Sequence, residues 1–401
     1  MLPVVRTYLL SRFAAATAMT LFRATVAWHV YRLTGSTVML GIIGLVQFIP
    51  SVVLTLTGGV LADRHNRTRI VRIAQIVACC ISPPVLLATH FGVISEVWLL
   101  AAVALVASAG SIEQPSRAAL LVSLVPRETF PRVVTQASTV QALAFGTGPA
   151  LAGLFIWAQG PALAYAMHAL LMLISVVQLR KIPDIFPKGN SLPVFQSLRE
   201  GFAAVFSNKV VLSCMVLDMC AVILGGATAL LPVFAEDILR VGPVGYGALS
   251  AAMEVGALSM ATFLAIRPPI ESAGRTLLLS VVFYGMATIG FGLSTWLPLS
   301  ILMYAFVGAA DQISVVLRHT AVQMSTTDDV RGRVSSVNML FIHASNQLGA
   351  LESGLLAAAI GAPMAVASGG VGAILVAIAV GFLVPALYHY RVQPAQKDAA
   401  A

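Results

Sequence analysis

The sequence predicts an all-α membrane protein, with twelve transmembrane helices in two six-helix pseudo-repeats. Composition is the first observation behind that reading. Hydrophobic residues make up 58% of the chain and charged residues 10%, against about 25% charged in an ordinary soluble domain. The second is spacing. Apolar runs of about 20 residues, the length a helix needs to cross ~30 Å of hydrocarbon, recur along the chain between short turns. The third is internal repetition. The shift that carries Arg117 onto Arg318 also carries Arg132 onto Arg333, Gly148 onto Gly349, Gly153 onto Gly354 and Gly160 onto Gly361.

Taken in order, the first span is expected from Tyr8 to Leu33, with an outer turn at Thr34-Gly35-Ser36-Thr37. The second, Val38 to Leu61, and the third, Ile70 to His90, flank a short charged loop. The fourth runs from Val97 to Leu121 and is followed by a basic inner loop at Pro126-Arg127-Glu128. The fifth covers Val133 to Ala158 and turns at Gly160-Pro161, so that the sixth returns to Arg180-Lys181. Spans seven to twelve are expected at Val210–Phe234, Val244–Ile266, Thr276–Leu293, Leu297–Leu317, Val334–Ile360 and Pro363–Tyr390.

This places an N-terminal six-helix bundle at 1–180, a linker at 181–208, a C-terminal bundle at 209–390 and a polar cytoplasmic tail at 391–401. The linker begins with Pro183, Pro187, Gly189 and Asn190. Its second part sets Phe195, Leu198, Phe202 and Val205 at helical spacing, with Arg199 and Glu200 on other faces. That pattern predicts a helix lying along the inner membrane surface.

The chain carries 24 Lys and Arg against 16 Asp and Glu, which in a soluble protein would raise the question of nucleic acid. Position answers it. With an inside N-terminus, every basic residue except Arg23, Arg32 and Arg240 falls at inner ends and loops, so the excess is a positive-inside bias. Cys79, Cys80, Cys214 and Cys220 sit within apolar runs without metal-ligand spacing and read as small buried hydrophobes. Arg23 and His29 interrupt the first apolar stretch, so it reads as an uncleaved span and not a signal peptide.

The charged loop is the stretch around which the chain is organised: Gly58-Gly59-Val60-Leu61-Ala62-Asp63-Arg64-His65-Asn66-Arg67-Thr68-Arg69. Gly58 and Gly59 leave room for a neighbouring helix at the end of the second span. Asp63 suits the positive end of a helix, and Arg64, Arg67 and Arg69 suit helix carboxyl ends or lipid phosphates. The pattern resembles the cytoplasmic loop between helices 2 and 3 of the major facilitator superfamily of secondary transporters. The resemblance implies that Gly59, Asp63, Arg64 and Arg67 form a conformational gate, with the Asp bracing the two halves in one state. Two positions depart from it. Asn66 replaces a Gly, where a left-handed backbone is expected to preserve the turn, and Thr68 replaces a basic residue, which is expected to weaken the brace. The inner stretch Asp329-Val330-Arg331-Gly332-Arg333 resembles the superfamily's Arg-Gly-Arg loop.

In span five, Gly146-Thr147-Gly148-Pro149-Ala150-Leu151-Ala152-Gly153 combines a helix-bending Pro with small residues for close packing. It resembles the antiporter motif of the superfamily's drug exporters, carried here by Gly148, Pro149 and Gly153, although Ala152-Gly153 replaces the final Gly pair and Ala144 the leading Gly. The rival reading is ordinary packing with a kink. In span eleven, Ser335, Asn338, Ser345, Gly349 and Glu352 form a polar row with His343, Asn346 and Gln347 nearby. That segment, with Leu231-Pro232-Val233-Phe234 and the region from Gly242 to Gly256, resembles the exporter branch that includes enterobactin and macrolide efflux proteins.

Ionisable groups at membrane depth are expensive and mark candidate sites. Arg23, Asp218, Glu254, Asp311, Asn346 and Glu352 are the candidates for proton coupling or the substrate cavity. A carboxyl among apolar groups binds a proton more readily than one in water, whereas an ion pair, for instance with Arg23, is the structural alternative. Coupling and pairing weigh evenly for Asp218 and Glu254, while pairing is favoured for Glu113 and Asp311. His29, His168 and His343 are too scattered for a metal site.

No phosphate-cradling loop is present and nothing suggests an enzyme; the superfamily's Arg in span four is also missing from Val97 to Gly110. The chain therefore reads as a monomeric, multi-pass transporter of the bacterial inner membrane with both termini cytoplasmic and no cofactor. A proton gradient would drive export of a siderophore-like or drug-like small molecule by alternating access, with no nucleic-acid partner. A proton-coupled importer and a non-transporting membrane sensor are the alternatives.

Overall fold

The computed structural model describes residues 3–126, 128–187, 194–267, 270–327 and 330–391 and, of residues 56 and 194–198, the backbone alone. The loop positions Arg127 and Asp329, the linker residues Gly189 and Asn190, the side chains of Phe195 and Leu198, and the tail beyond Arg391 lie outside this description. Every element among the described residues is helical.

The first six long helices are α1 Pro3–Thr34, α2 Thr37–Arg64, α3 Arg67–His90, α4 Glu96–Leu124, α5 Phe130–Gln159 and α6 Pro161–Leu179; the short α7 spans Val194–Ser207. Span seven is composite: α8 Lys209–Leu224, a 3₁₀ turn at Ala227–Leu230, α9 Leu231–Val233 and a π turn at Phe234–Ile238. It is followed by α10 Gly242–Ala265, α11 Ala273–Leu293, α12 Leu297–Met324, α13 Arg331–Ile360, α14 Ala362–Leu383 and the single turn α15 Pro385–Tyr388. Ten of these segments combine the length and apolarity needed to cross a membrane. Helices α1 and α13 complete the set of twelve. Both are long enough, at 32 and 30 residues, and are more polar than the rest. Phe382 and Leu383 stand 82% and 80% exposed, a placement that suits lipid and not water.

Two expected spans are corrected. The continuous run Val210–Phe234 breaks after Leu224, because Gly225-Gly226 accommodates close neighbours and not a straight helix. A Cβ on Gly225 would lie 2.6 Å from Tyr284 Oη, and one on Gly226 would lie 2.9 Å from Gly349 O. The twelfth span ends at Leu383 and not at Tyr390, since Pro385 disfavours a helical conformation at Val384, which lies at φ −124°, ψ 74°.

The chain forms two compact units. One comprises Met1–Val194 with Thr228–Glu254, and the other Phe195–Ala227 with Val255–Ala401. In the first, Val5, Tyr8, Val71, Leu120 and Leu179 build one core cluster, and Ala15, Ala18, Ala78 and Met172 a second in which small residues bring the helices together. In the second, α7 packs on the start of α13. Val205 is fully buried, Glu200 pairs with Arg333, and a Cβ on Gly201 would lie 2.8 Å from Arg333 O.

The repeat seen in the sequence recurs in the geometry. Gly160 and Gly361 turn between consecutive helices at φ +80° and +82°, a region only Gly enters without strain. Gly148 of α5 abuts α1, where a Cβ would lie 2.8 Å from Thr17 O. Its counterpart Gly349 of α13 abuts α8, where a Cβ would lie 2.7 Å from Val222 O. Because the α1 backbone at Thr17 O and Leu21 N fills that space together with the Thr20 hydroxyl, Gly148→Leu is expected to destabilise the first unit by about 1–3 kcal/mol or more. Gly59→Ala, with nothing within 4 Å of its added Cβ, is expected to be neutral or slightly stabilising. Thermal unfolding of the purified variants checks both.

Candidate functional site

The loop between α2 and α3 is held by backbone carbonyls. Arg67 donates from Nε to Ala62 O at 3.0 Å, closing the carboxyl end of α2, and from Nη1 to Ser123 Oγ at 2.8 Å and Ala119 O at 3.4 Å at the end of α4. Asn66 does not take a left-handed backbone: at φ −59° it caps α3 with its side chain, accepting from Arg69 N at 3.0 Å. Thr68 is fully buried and donates to Pro183 O at 2.9 Å, while Arg67 N donates to Ile185 O at 2.9 Å. The segment that follows α6 is therefore strapped to this loop. Gly58, and not Gly59, supplies the close helix contact, since a Cβ there would lie 2.9 Å from Ile112 Cα of α4. Asp63 forms no ion pair among the described residues, and Arg64 is exposed.

A buried polar network links four helices of the first unit. Arg117 Nε donates to Glu113 Oε1 at 2.7 Å, Gln75 Nε2 donates to the same oxygen at 2.9 Å, and Ser175 Oγ lies 2.8 Å from both Gln75 Oε1 and Ser11 Oγ. Glu113 thus has a cation and an amide beside it, as the pairing alternative required.

In the same unit, the small face of α5 receives the first half of α10. A Cβ on Gly153 would lie 2.9 Å from Gly247 Cα, one on Gly247 would lie 3.0 Å from Pro149 O, and one on Gly146 would lie 3.3 Å from Glu254 Cβ. The antiporter-like motif therefore has two packing partners, α1 through Gly148 and α10 through Gly153, and Glu254 stands beside it. The far end of α1 is tied to the π turn, with Tyr31 donating to Asp237 and Arg32 paired with Glu236.

Arg23 lines a small pocket formed by α1, α2 and α4 with Met19, Phe22, Ile43, Gln47, Val103, Val106 and Ala107. It is exposed and has no ion pair among the described residues. The pairing of Arg23 with a carboxylate is therefore not seen. Gln47, which is buried, donates from Nε2 to Ile43 O at 3.3 Å.

In the second unit, Asp218 of α8 pairs with Arg318 of α12, with side chains 11% and 4% exposed. Asp311, two turns before Arg318, lines a small pocket with Asp218, Ala221, Val222, Val281, Tyr284 and Ser314. No hydrogen bond or ion pair to Asp311 forms among the described residues. Pairing, which weighed evenly with coupling for Asp218 and was favoured for Asp311, is seen at Asp218 and not at Asp311 among the described residues. On α13, Asn338, Ser345 and Gly349 share the buried face, whereas Ser335 is exposed. Asn346 is also exposed and bonds to Ile342 O of its own helix at 2.7 Å, and Glu352 is half-buried beside Ser353. Of the proposed site residues, Asp218 and Asp311 line one pocket of the second unit, and Arg23 lines another within the first. Gln47, Tyr284 and Arg318 join the site through the structure and are not among the residues the sequence marks as candidates. Arg318 carried a usable signal, since it follows Asp311 at helical spacing and is the repeat counterpart of Arg117.

Twelve membrane helices in two repeats, with buried charges set inside each unit, define a polytopic transporter of the major facilitator superfamily. Within it, the chain belongs to the transmembrane secretion effector family, whose pattern matches residues 3–397. It is 24% identical to the enterobactin exporter EntS of Escherichia coli (strain K12), covering 99% of this chain and 96% of the other. It is 23% identical to macrolide efflux protein A of Streptococcus pyogenes, covering 85% and 86%. Among solved structures, a bacterial homolog of the human lysosomal transporter Spinster, inward-facing and unoccupied, superimposes with a TM-score of 0.70 at 15% identity, covering 98% of this chain and 100% of that one. The nucleoside transporter NupG does so with a TM-score of 0.75 at 12% identity, covering 95% and 100%. These likenesses at low identity establish the fold.

Proposed function

We propose that this protein exports a small organic compound across the bacterial inner membrane by proton antiport with alternating access, and that Asp311 carries the coupled proton. The observation that carries the reading is the contrast among buried acids. Glu113 has Arg117 and Asp218 has Arg318, whereas Asp311 lines a pocket of mixed apolar and polar walls, Tyr284 and Ser314 among them, and has no ion pair of its own among the described residues. A carboxyl of that kind takes up a proton when water is excluded and releases it when water arrives. Glu254, beside Gly146 of the antiporter-like motif, is the second acid placed to feel movement of α5 against α10. The efflux relatives support the outward direction, and the basic loops support cytoplasmic termini. The Asp63 loop serves in this reading as the inner closure, with Arg67 as its anchor.

The test compares substrate-driven proton movement in everted vesicles carrying the wild type, Asp311→Asn, Glu254→Gln or Asp218→Asn. The response is expected to vanish in Asp311→Asn. Retention of the full response in that variant, with loss in Glu254→Gln, moves the coupling site to span eight.

A further inference from the structure

We propose that Arg23 and Gln47 form a recognition site for an anionic group of the transported compound, a carboxylate, phenolate or sulfonate carried on an apolar body. This rests on the transport reading above and adds the substrate's chemical class.

Three other arginines inside helices are partnered. Arg117 has Glu113 and Arg318 has Asp218. Arg12 donates to Ala137 O at 3.2 Å and bonds to Gln141. Arg23 has no such partner among the described residues, yet it stands well inside its helix. It lies eleven residues before the end of α1 at Thr34, roughly 16 Å along the axis, so the headgroup layer is out of reach of a simple end contact. A guanidinium at that depth faces protein or a water-filled space and not hydrocarbon. Its position agrees: the side chain lines a pocket shared with α2 and α4.

The pocket walls supply the other half of the recognition. Met19, Phe22, Ile43, Val103 and Val106 are apolar, and Gln47 is the other polar side chain lining it. The Gln47 amide spends one hydrogen on Ile43 O and keeps a further donor and an acceptor. A planar, permanently charged guanidinium beside an amide and an apolar wall is suited to an oxygen acid on an aromatic or aliphatic body, bound by charge-assisted hydrogen bonds. The same arrangement repels an amine cation. The acids of the unit do not compensate Arg23, since Glu113 is committed to Arg117 and Gln75 and Glu254 lies against α5.

The probes are fluorescein, an anion, and rhodamine 123, a cation on the same xanthene core. Equilibrium binding is read on the purified full chain in phosphatidylcholine nanodiscs, and accumulation is read in energised everted vesicles. The wild type is expected to bind and accumulate fluorescein. Arg23→Gln is expected to weaken fluorescein binding by about tenfold or more, while Arg23→Lys retains most of it and rhodamine 123 binding is not weakened by either change.

Absence of fluorescein binding by the wild type, equal weakening of both dyes in Arg23→Gln, or no weakening at all overturns the proposal. Fluorescein binding that depends on Arg23 without accumulation keeps the anion site and removes the transport reading. Accumulation of rhodamine 123 without fluorescein binding does the opposite. Adding anionic phosphatidylglycerol to the nanodiscs is expected to leave fluorescein affinity unchanged; a loss that requires Arg23 assigns the site to a lipid phosphate and overturns the substrate assignment.

Discussion

Asp311→Asn is expected to abolish energised accumulation of substrate while leaving the protein folded and able to exchange substrate down its gradient. The substitution keeps the shape of the side chain and removes the proton-binding oxygen. No ion pair is broken, because none reaches Asp311 among the described residues, and the pocket it lines with Tyr284 and Ser314 remains. Coupling between two ligands is a free energy of about 1–3 kcal/mol, or 5–150-fold in affinity, and this variant should lose it. For antiport, the deprotonated form binds substrate and protonation releases it. Substrate affinity in the wild type should therefore rise with pH, and in Asp311→Asn it should be flat. A titration of substrate binding against pH on both proteins checks the sign. A falling affinity in the wild type, or an unchanged slope in the variant, speaks against Asp311 as the coupling group.

Arg318→Ala is expected to have the largest effect on stability. The Arg318–Asp218 pair is almost wholly buried between α12 and α8, and removing the cation leaves a carboxylate without compensation in apolar surroundings. Breaking a buried pair this way costs about 3–5 kcal/mol. Removing both charges together, in Arg318→Met with Asp218→Asn, should recover most of that loss, because burying a neutral amide costs far less than burying an uncompensated carboxylate. Unfolding midpoints of the single and double variants in detergent decide the matter. Equal loss in both would mean that the helices depend on the volume of Arg318 and not on its charge. The same pairing explains why Asp218→Asn is a poor test of coupling on its own, since it also strands Arg318.

The fold was readable because its determinants are local. Span length and apolarity follow from the bilayer, and the turn glycines Gly160 and Gly361 repeat at matching positions with matching φ. Places where the reading failed are those where tertiary contact overrides local pattern. The apolar run from Val210 to Phe234 looks continuous, yet Gly225 and Gly226 exist for Tyr284 and Gly349, which are distant in the chain. Gly58 and Gly59 are adjacent and chemically identical, and only helix rotation decides that the first meets α4.

The site was legible as a list of intramembrane charges and not as an arrangement. Which acid meets which arginine depends on the azimuth of α8 and α12, so pairing falls to Asp218, where it weighed evenly with coupling, and not to Asp311, where it was favoured. The loop pattern marks Thr68 as a weakened position, whereas its hydroxyl holds Pro183 O. A contact across 115 residues leaves no periodic trace.

The central claim, proton-driven export, is tested most directly by proton release in everted vesicles. The vesicle lumen is acidified, a panel of siderophores and drug-like compounds is added, and luminal pH and compound uptake are recorded together. The account predicts that a transported compound raises luminal pH as it accumulates and that both signals are lost in Asp311→Asn. Accumulation of a compound with no change in luminal pH, or accumulation that survives collapse of the proton gradient, would contradict it.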